Sequence, residues 1–268
     1  MIRSMYSGIS GLKNFQTKLD VIGNNIANVN TYGFKKGRTV FKDLYSQSVA
    51  SASASGDNRG GINPKQVGLG SQLAAIDTIH SGGTMQTTGN TLDLAIEGDG
   101  FFIVGEESGI EKFYTRGGNF YLDETGVIVD GDGKFLLDID GAKISVPLDA
   151  TSLSIGQDGT VNYVVDGVLN PDGDPVQISV ARFNNPGGLT KFGGNMYRES
   201  ANSGAPSDEL TPLEGGRGSI RSGSLEMSNV DLSEEFTEMI VAQRGFQANT
   251  RIITTSDEIL QELVNLKR

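Results

Sequence analysis

The chain has 268 residues, a formal net charge of −11, one histidine, and neither cysteine nor tryptophan. These values exclude a disulfide framework, a zinc knuckle and a thiol nucleophile, and they disfavour binding to nucleic acid or an anionic membrane. No apolar run approaches the roughly 20 residues of a membrane span, and the N-terminal MIRSMYSGIS lacks an apolar signal core, so neither a membrane helix nor a cleaved secretory signal is expected.

Charge and glycine divide the chain. Residues 1–45 carry a net +5, residues 229–268 a net −3, and residues 46–228 a net −13. The 37 glycines, about twice the average frequency, cluster in the middle and are sparse in the last forty residues. The length suits one large domain or two smaller ones. The expected class is α+β: long N- and C-terminal helices pairing in a coiled-coil-like manner, with a mainly antiparallel β domain inserted between them. The expected organisation is a helix and turn over 1–45, an extended arm or linker over 46–84, the β domain over 85–215, and a return segment with the C-terminal helix over 216–268.

In the first segment Met5, Leu12, Leu19 and Ile26 stand seven apart, and Phe15, Ile22 and Val29 fall between them. From Leu12 onward the steps alternate three and four, which is the spacing of a coiled-coil seam. Gly8, Gly11 and Gly23 weaken an isolated helix by about 1 kcal/mol each relative to Ala, but they let another backbone come close. The helix should end near Asn30–Thr31, with Gly33 in a left-handed terminating position. Four asparagines, Asn24, Asn25, Asn28 and Asn30, are unusual stock for an ordinary core helix.

Residues 46–72 are small, polar and rich in Gly and Ser. They read as a flexible linker or as an extended arm ordered by its neighbours, and composition leaves both open. From 85 to 227 short β-branched and aromatic runs alternate with turn pairs. Asp-Gly recurs at 99–100, 132–133, 140–141, 158–159, 166–167 and 172–173 and suits hairpin turns. A sandwich or irregular barrel is expected. Residues 200–218, with Gly204, Pro206, Pro212 and GGRG, read as a linker on the way back.

At the far end Leu232, Met239, Phe246, Ile253 and Leu260 stand seven apart, flanked by Ile252, Ile259, Leu266, Leu263 and Val264. Asp231 with Glu234 forms a capping-box pattern, and a helix is expected from about 232 to 266, roughly 50 Å long. Gln243, Thr250 and Asp257 replace the second apolar line of a strict zipper. The amides Gln243, Gln247 and Asn249 match the asparagines of the first helix, and such groups fix register between packed helices.

Catalytic patterns are missing. VDGDGKFLLDIDG has Lys134 and Phe135 where a calcium loop from Asp130 needs a ligand and a glycine, and Gly141 in place of the final Glu. Ser10–Lys13 matches S-x-x-K without its partner motifs. His80 has no partner constellation and reads as a surface or hydrogen-bonded residue. No cofactor and no metal ligands are expected.

Both ends resemble the flagellar basal-body rod and hook proteins. LDVIGNNIANVNTYGFKK (19–36) follows the family's N-terminal pattern at Leu19, Asp20, Ile22, Asn24, Asn25, Ile26, Ala27, Asn28, Thr31, Gly33, Phe34 and Lys35. EMSNVDLSEEFTEMIVAQRGFQANTRIITTSDEILQELVNL (226–266) is similar to the other end. Gly100–Phe102, Tyr114–Arg116 and NMYRES (195–200) resemble the central domain. The resemblance implies a structural axial subunit that is exported unfolded by the flagellar type III apparatus and polymerises into a helical tube walled inside by its paired terminal helices. It would meet copies of itself, adjoining rod, hook-cap and hook–filament junction proteins, and the motor torque they carry. The assembly surface would comprise Met5, Leu12, Phe15, Leu19, Ile22, Asn24, Asn25, Ile26, Asn28 and Val29, with Leu232, Phe236, Met239, Gln243, Phe246, Asn249, Ile253, Leu260 and Leu263. The asparagines would serve neighbouring helices and a wet channel. Within the family the short hook form is expected, with the distal-rod form as the alternative. The 46–72 stretch resembles the longer arm of rod members, and the outer domain of many hook proteins is absent. A secreted hydrolase needs an acidic pair in a closed cleft. A monomeric adhesin needs ordered ends without polymerisation.

Overall fold

Helix formation at the chain ends follows the seven-residue pattern. The computed structural model describes residues 2–54, 60–106, 111–171, 176–207 and 211–266. Helix α1 spans Ile2–Ala27 and α2 spans Leu232–Asn265. α2 starts where the Asp231 carboxylate accepts from the backbone N–H groups of Ser233 (2.8 Å) and Glu234 (3.4 Å), filling two of the four orphan donors of a helix start. After α1 the chain turns, with Thr31 N–H donating to Asn28 O at 3.1 Å and Gly33 at φ 68°.

The chain divides into two compact units, one of Met1–Ala27, Gly37–Thr78 and Asp231–Arg268, the other of Asn28–Lys36 and Ile79–Val230. In the first, the helices pack antiparallel. Gly8 lies within van der Waals reach of Ile253, a Cβ on Gly11 would meet the Asn249 amide at 2.9 Å, and one on Gly245 would meet the Phe15 ring at 2.5 Å. Gly8 and Gly11 therefore lie where α2 comes close, whereas a Cβ on Gly23 would meet nothing within 4 Å. The described residues of the 46–72 stretch, 46–54 and 60–72, belong to a two-stranded antiparallel ribbon. β1 (Gly37–Asp43) pairs with β4 (Ser71–Thr78), β2 (Ser46–Ala50) pairs with β3 (Lys65–Gly68), and a Ser53–Ile62 bridge extends the ladder. Asn14 Nδ2 donates to Ser71 Oγ at 2.8 Å, and Phe15 and Phe41 meet with ring centroids 6.5 Å apart, so the base of the ribbon is held to α1.

The second unit is antiparallel β. Its strands are β5 (Met85–Thr87), β6 (Leu94–Glu97), β7 (Phe101–Gly105), β8 (Lys112–Thr115), β9 (Phe120–Leu122), β10 (Ile128–Asp130), β11 (Phe135–Leu136), β12 (Ser152–Ile155), β13 (Thr160–Val165), β14 (Val168–Leu169), β15 (Val176–Gln177), β16 (Val180–Ala181), β17 (Thr190–Gly193), β18 (Met196–Arg198), β19 (Ser219–Ser222) and β20 (Ser224–Glu226). The main sheet runs β17-β18-β8-β7-β11-β10-β9 with β16 also on β7, a second sheet is β12-β13-β14 with β15 on β13, and β19 and β20 return to pair with β6 and β5. Strand β7 is buried on both faces. Phe102 and Val104 enter a core with Leu94, Phe120, Ile128 and Ile178, and Phe101 and Ile103 enter another with Tyr114, Phe183 and Tyr197. That is why FFIV is a continuous apolar run rather than an alternating one.

The acidic stretch folds as two hairpin turns. Asp130 and Lys134 close one, with Gly133 at φ 78°, and Asp138 and Ala142 close the next, with Gly141 at φ 79°. The Asp172–Gly173 pair lies outside the described residues. Residues 200–218 differ from the expected linker where they are described. Buried Arg217 donates to the carbonyls of Thr211 and Glu214 and to Ser207 Oγ, and Gly218 N–H donates to Asp99 O. One arginine thereby gathers a stretch whose composition carries no core pattern.

Candidate assembly site

The predicted surface residues divide by burial. On α1, Ile22 and Asn25 are buried, Met5, Leu12, Phe15, Leu19 and Ile26 are half-buried, and Asn24 is exposed. Asn28 and Val29, half-buried, belong to the second unit. On α2, Met239, Phe246, Asn249, Ile253 and Leu260 are half-buried, while Leu232, Phe236, Gln243 and Leu263 are exposed.

Asn25 is committed within the chain. Its Nδ2 donates to Gly37 O (2.9 Å) and Glu235 Oε2 (3.2 Å), and its Oδ1 accepts from Gly37 N–H (2.9 Å). One buried amide thus ties the end of α1, the start of β1 and the first turn of α2. Lys18 pairs with Glu238 farther along the same helix contact. Asn28 Oδ1 accepts from Thr31 Oγ1 at 3.2 Å, within the turn that follows α1.

What remains uncovered on α2 is an apolar stripe. Val241, Ile252, Ile259 and Leu266 are all exposed, Leu266 to 82%. Their spacings of 11, 7 and 7 residues return to within about 20° of one direction at 100° per residue. Leu263 lies next to this line. The sequence pattern marks Ile252, Ile259 and Leu266 as flanking; their exposure makes them surface candidates ahead of Ile253 and Leu260.

In the second unit a buried ion cluster forms around Lys35, from the TYGFKK end of the N-terminal motif. Glu226 on β20 receives Lys35 Nζ on Oε1 (2.6 Å) and Arg116 Nη1 on Oε2 (3.1 Å), and Gly83 N–H also reaches Oε1 (2.9 Å). Lys35 Nζ donates further to Ser81 O, and Arg116 to Ile96 O and Gly98 O. Burial alone pushes the Glu226 carboxyl up, but Arg116 and Lys35 outweigh it and hold it below the usual carboxylate range. Asn229 completes the tie, accepting from Lys36 N–H (2.8 Å) and donating to Ile79 O (2.9 Å). Segments 28–36, 79–83 and 226–229 are thus bound to each other. Gly33 is required here, since a Cβ would lie 2.5 Å from the backbone of Arg116 and Gly117.

Residues 5–35 match the family described as flagella basal body rod protein, 95–163 the flagellar hook protein FlgE/F/G D1 domain, and 221–266 the flagellar basal body rod FlgEFG protein C-terminal region. The flagellar basal-body rod protein FlgG of Bacillus subtilis is 61% identical over 268 residues, with 100% of both chains covered. The chain belongs to the flagellar basal-body rod and hook family. Members of this family are structural components of the flagellum, not enzymes. In Borreliella burgdorferi, the rod protein FlgG is 38% identical over 274 residues and the hook protein FlgE is 32% identical over 444 residues, each with full coverage of both chains. The expectation of a hook protein is corrected by these values, which favour the rod alternative. Among the described residues no helix is long and apolar enough to cross a membrane, and no group of three His, Asp or Glu is placed to hold a metal.

Proposed function

We propose that this chain is a distal-rod subunit of the flagellar basal body, exported by the flagellar type III apparatus, which polymerises with copies of itself and carries torque toward the hook. The observation that carries the reading is the full-length 61% identity to a rod protein. The longer alignment needed for a hook protein from one organism, beside the compact one for its rod protein, points the same way. The exposed stripe of Val241, Ile252, Ile259 and Leu266 is the surface that sibling helices cover, closing the terminal helices into coiled-coil-like packing in the polymer. Apolar rows of this length on a helix call for a partner. The expected assembly residues on the half-buried face then hold α1 to α2, and the exposed ones, Phe236 and Leu263 among them, reach the neighbours.

The test is localisation and rescue. A tagged copy in intact flagella should lie within the envelope in a straight segment, and deletion of residues 229–268 should abolish assembly. A tag found in the curved extracellular segment, or motility retained by the truncated chain, overturns the reading.

A further inference from the structure

The second unit contains a cleft of about 200 Å³ whose walls include His80, Asp99, Phe101, Arg116, Arg182 and Phe183. Its polar atoms are not used up by the fold. Buried His80 Nδ1 and Arg116 Nε have no hydrogen-bond partner, although Arg116 is only 3% exposed. Arg182 spends Nη1 on Gly215 O at 2.8 Å and is otherwise exposed at the cleft. Buried donors and acceptors without partners are uncommon in folded proteins and call for an occupant. We propose that this cleft is an oxyanion site that receives the carboxylate of an aspartate or glutamate from a second copy of the chain.

The inference rests on the assembly reading above, and charge supports the occupant. Residues 46–228 carry a net −13, so a neighbouring β unit presents carboxylates. The cations around His80 are Arg116 and Arg182 on the cleft wall, Lys35 from the turn after α1 and Lys191 on β17. The opposing acids are Glu226, engaged by Lys35 and Arg116, and Asp99, exposed on the wall. The sum favours an anion. The imidazole sits between the Phe101 and Tyr197 rings, with centroids 5.5 and 5.4 Å away, and its buried, unpartnered Nδ1 is the atom to meet an occupant. Burial first, then Lys35, Arg116 and Lys191, hold His80 down at about 4. A carboxylate offsets that field and raises the His80 midpoint, and in the protonated form Nδ1–H donates to it.

His80 is the chain's single histidine, so its imidazole C–H resonance reports the cleft directly. The full-length monomer is titrated with acid in sodium acetate and in sodium chloride of equal ionic strength, and the assembled polymer is titrated without acetate by solid-state NMR. The expected result is a titration midpoint at least one pH unit higher in acetate than in chloride, and a similar rise on assembly. Arg182→Gln should abolish the acetate effect and Asp99→Asn should enlarge it, each with an unchanged melting temperature. No rise in either arm overturns the proposal. A rise in acetate but not on assembly overturns the second copy as the source. Sedimentation scores polymer formation by itself, so failure of the assembly reading is seen separately.

Discussion

Glu226 neutralises two buried cations, and its removal is the most informative perturbation of the β unit. The cluster of Lys35, Arg116 and Glu226 carries a formal net charge of +1, with Lys35 and Glu226 side chains 0% exposed and Arg116 3%. Glu226→Ala leaves two buried positive charges facing each other. Breaking a buried pair by deleting one partner costs about 3–5 kcal/mol. Lys35 keeps Ser81 O and Arg116 keeps Ile96 O and Gly98 O, which sets the expectation near the lower end. Against a typical stability of about 5–15 kcal/mol, a loss of 3 kcal/mol lowers the melting temperature by about 6–12 °C in a unit of this size. Lys35→Met, by contrast, leaves Arg116 and Glu226 as a balanced pair and should cost distinctly less. Calorimetry and urea unfolding of the monomeric protein, with a Lys35→Met/Glu226→Ala double-mutant cycle, read both values and their coupling. If Glu226→Ala costs under about 1 kcal/mol, or Lys35→Met costs as much as Glu226→Ala, the charge argument is refuted.

Three further outcomes follow from the same structure. Gly118→Ala should abolish folding of the β unit, a loss above about 4 kcal/mol, because the added Cβ falls 1.6 Å from the Leu94 carbonyl oxygen; near-ultraviolet dichroism would show it. Ile259→Asp with Leu263→Asp should shift monomer stability by no more than about 0.5 kcal/mol, both side chains being exposed, yet remove sedimentable polymer. Stability should also fall with acidity in two stages. His80 is depressed from 6.5 to about 4, so its contribution is complete above pH 6.5 and is lost between there and pH 4, about 3 kcal/mol in all. Glu226, also depressed, adds stability above the ordinary carboxylate range that is lost as pH falls through and below it. His80→Gln should flatten the first stage in a pH series of urea unfolding curves and leave the second.

The helices and the β texture were legible because each writes a local period into the chain. Leu12 to Val29 and Leu232 to Leu260 repeat every seven residues, and the Asp-Gly pairs demand positive φ at hairpin turns. The ribbon of β1 to β4 was not legible, since β2 and β3 are exposed throughout and no buried face imposes an alternation on their small polar residues. The ion cluster was invisible for a different reason. Lys35 and Glu226 stand 191 residues apart, and Arg116 and Glu226 stand 110 apart, and no local periodicity records a long-range charge pair. The Arg217 knot in the supposed linker escaped likewise, because a single arginine collecting carbonyls leaves no compositional trace.

The position of Asn25 changes what the N-terminal motif is for. A surface of asparagines facing neighbouring helices would lose little in the monomer if one were replaced. Asn25 instead satisfies both backbone groups of Gly37 and meets Glu235, and an orphaned buried donor or acceptor costs about 1–3 kcal/mol. Lys35 and Gly33 are bound just as tightly inside the second unit. Most of the motif's polar chemistry therefore shapes the subunit before any neighbour arrives. On the assembly reading proposed above, the contacts between copies fall to residues the motif does not contain, foremost the exposed line from Val241 to Leu266. The physical division is consistent: polar side chains with buried partners cannot also bind a neighbour, whereas exposed apolar side chains gain free energy only when one covers them.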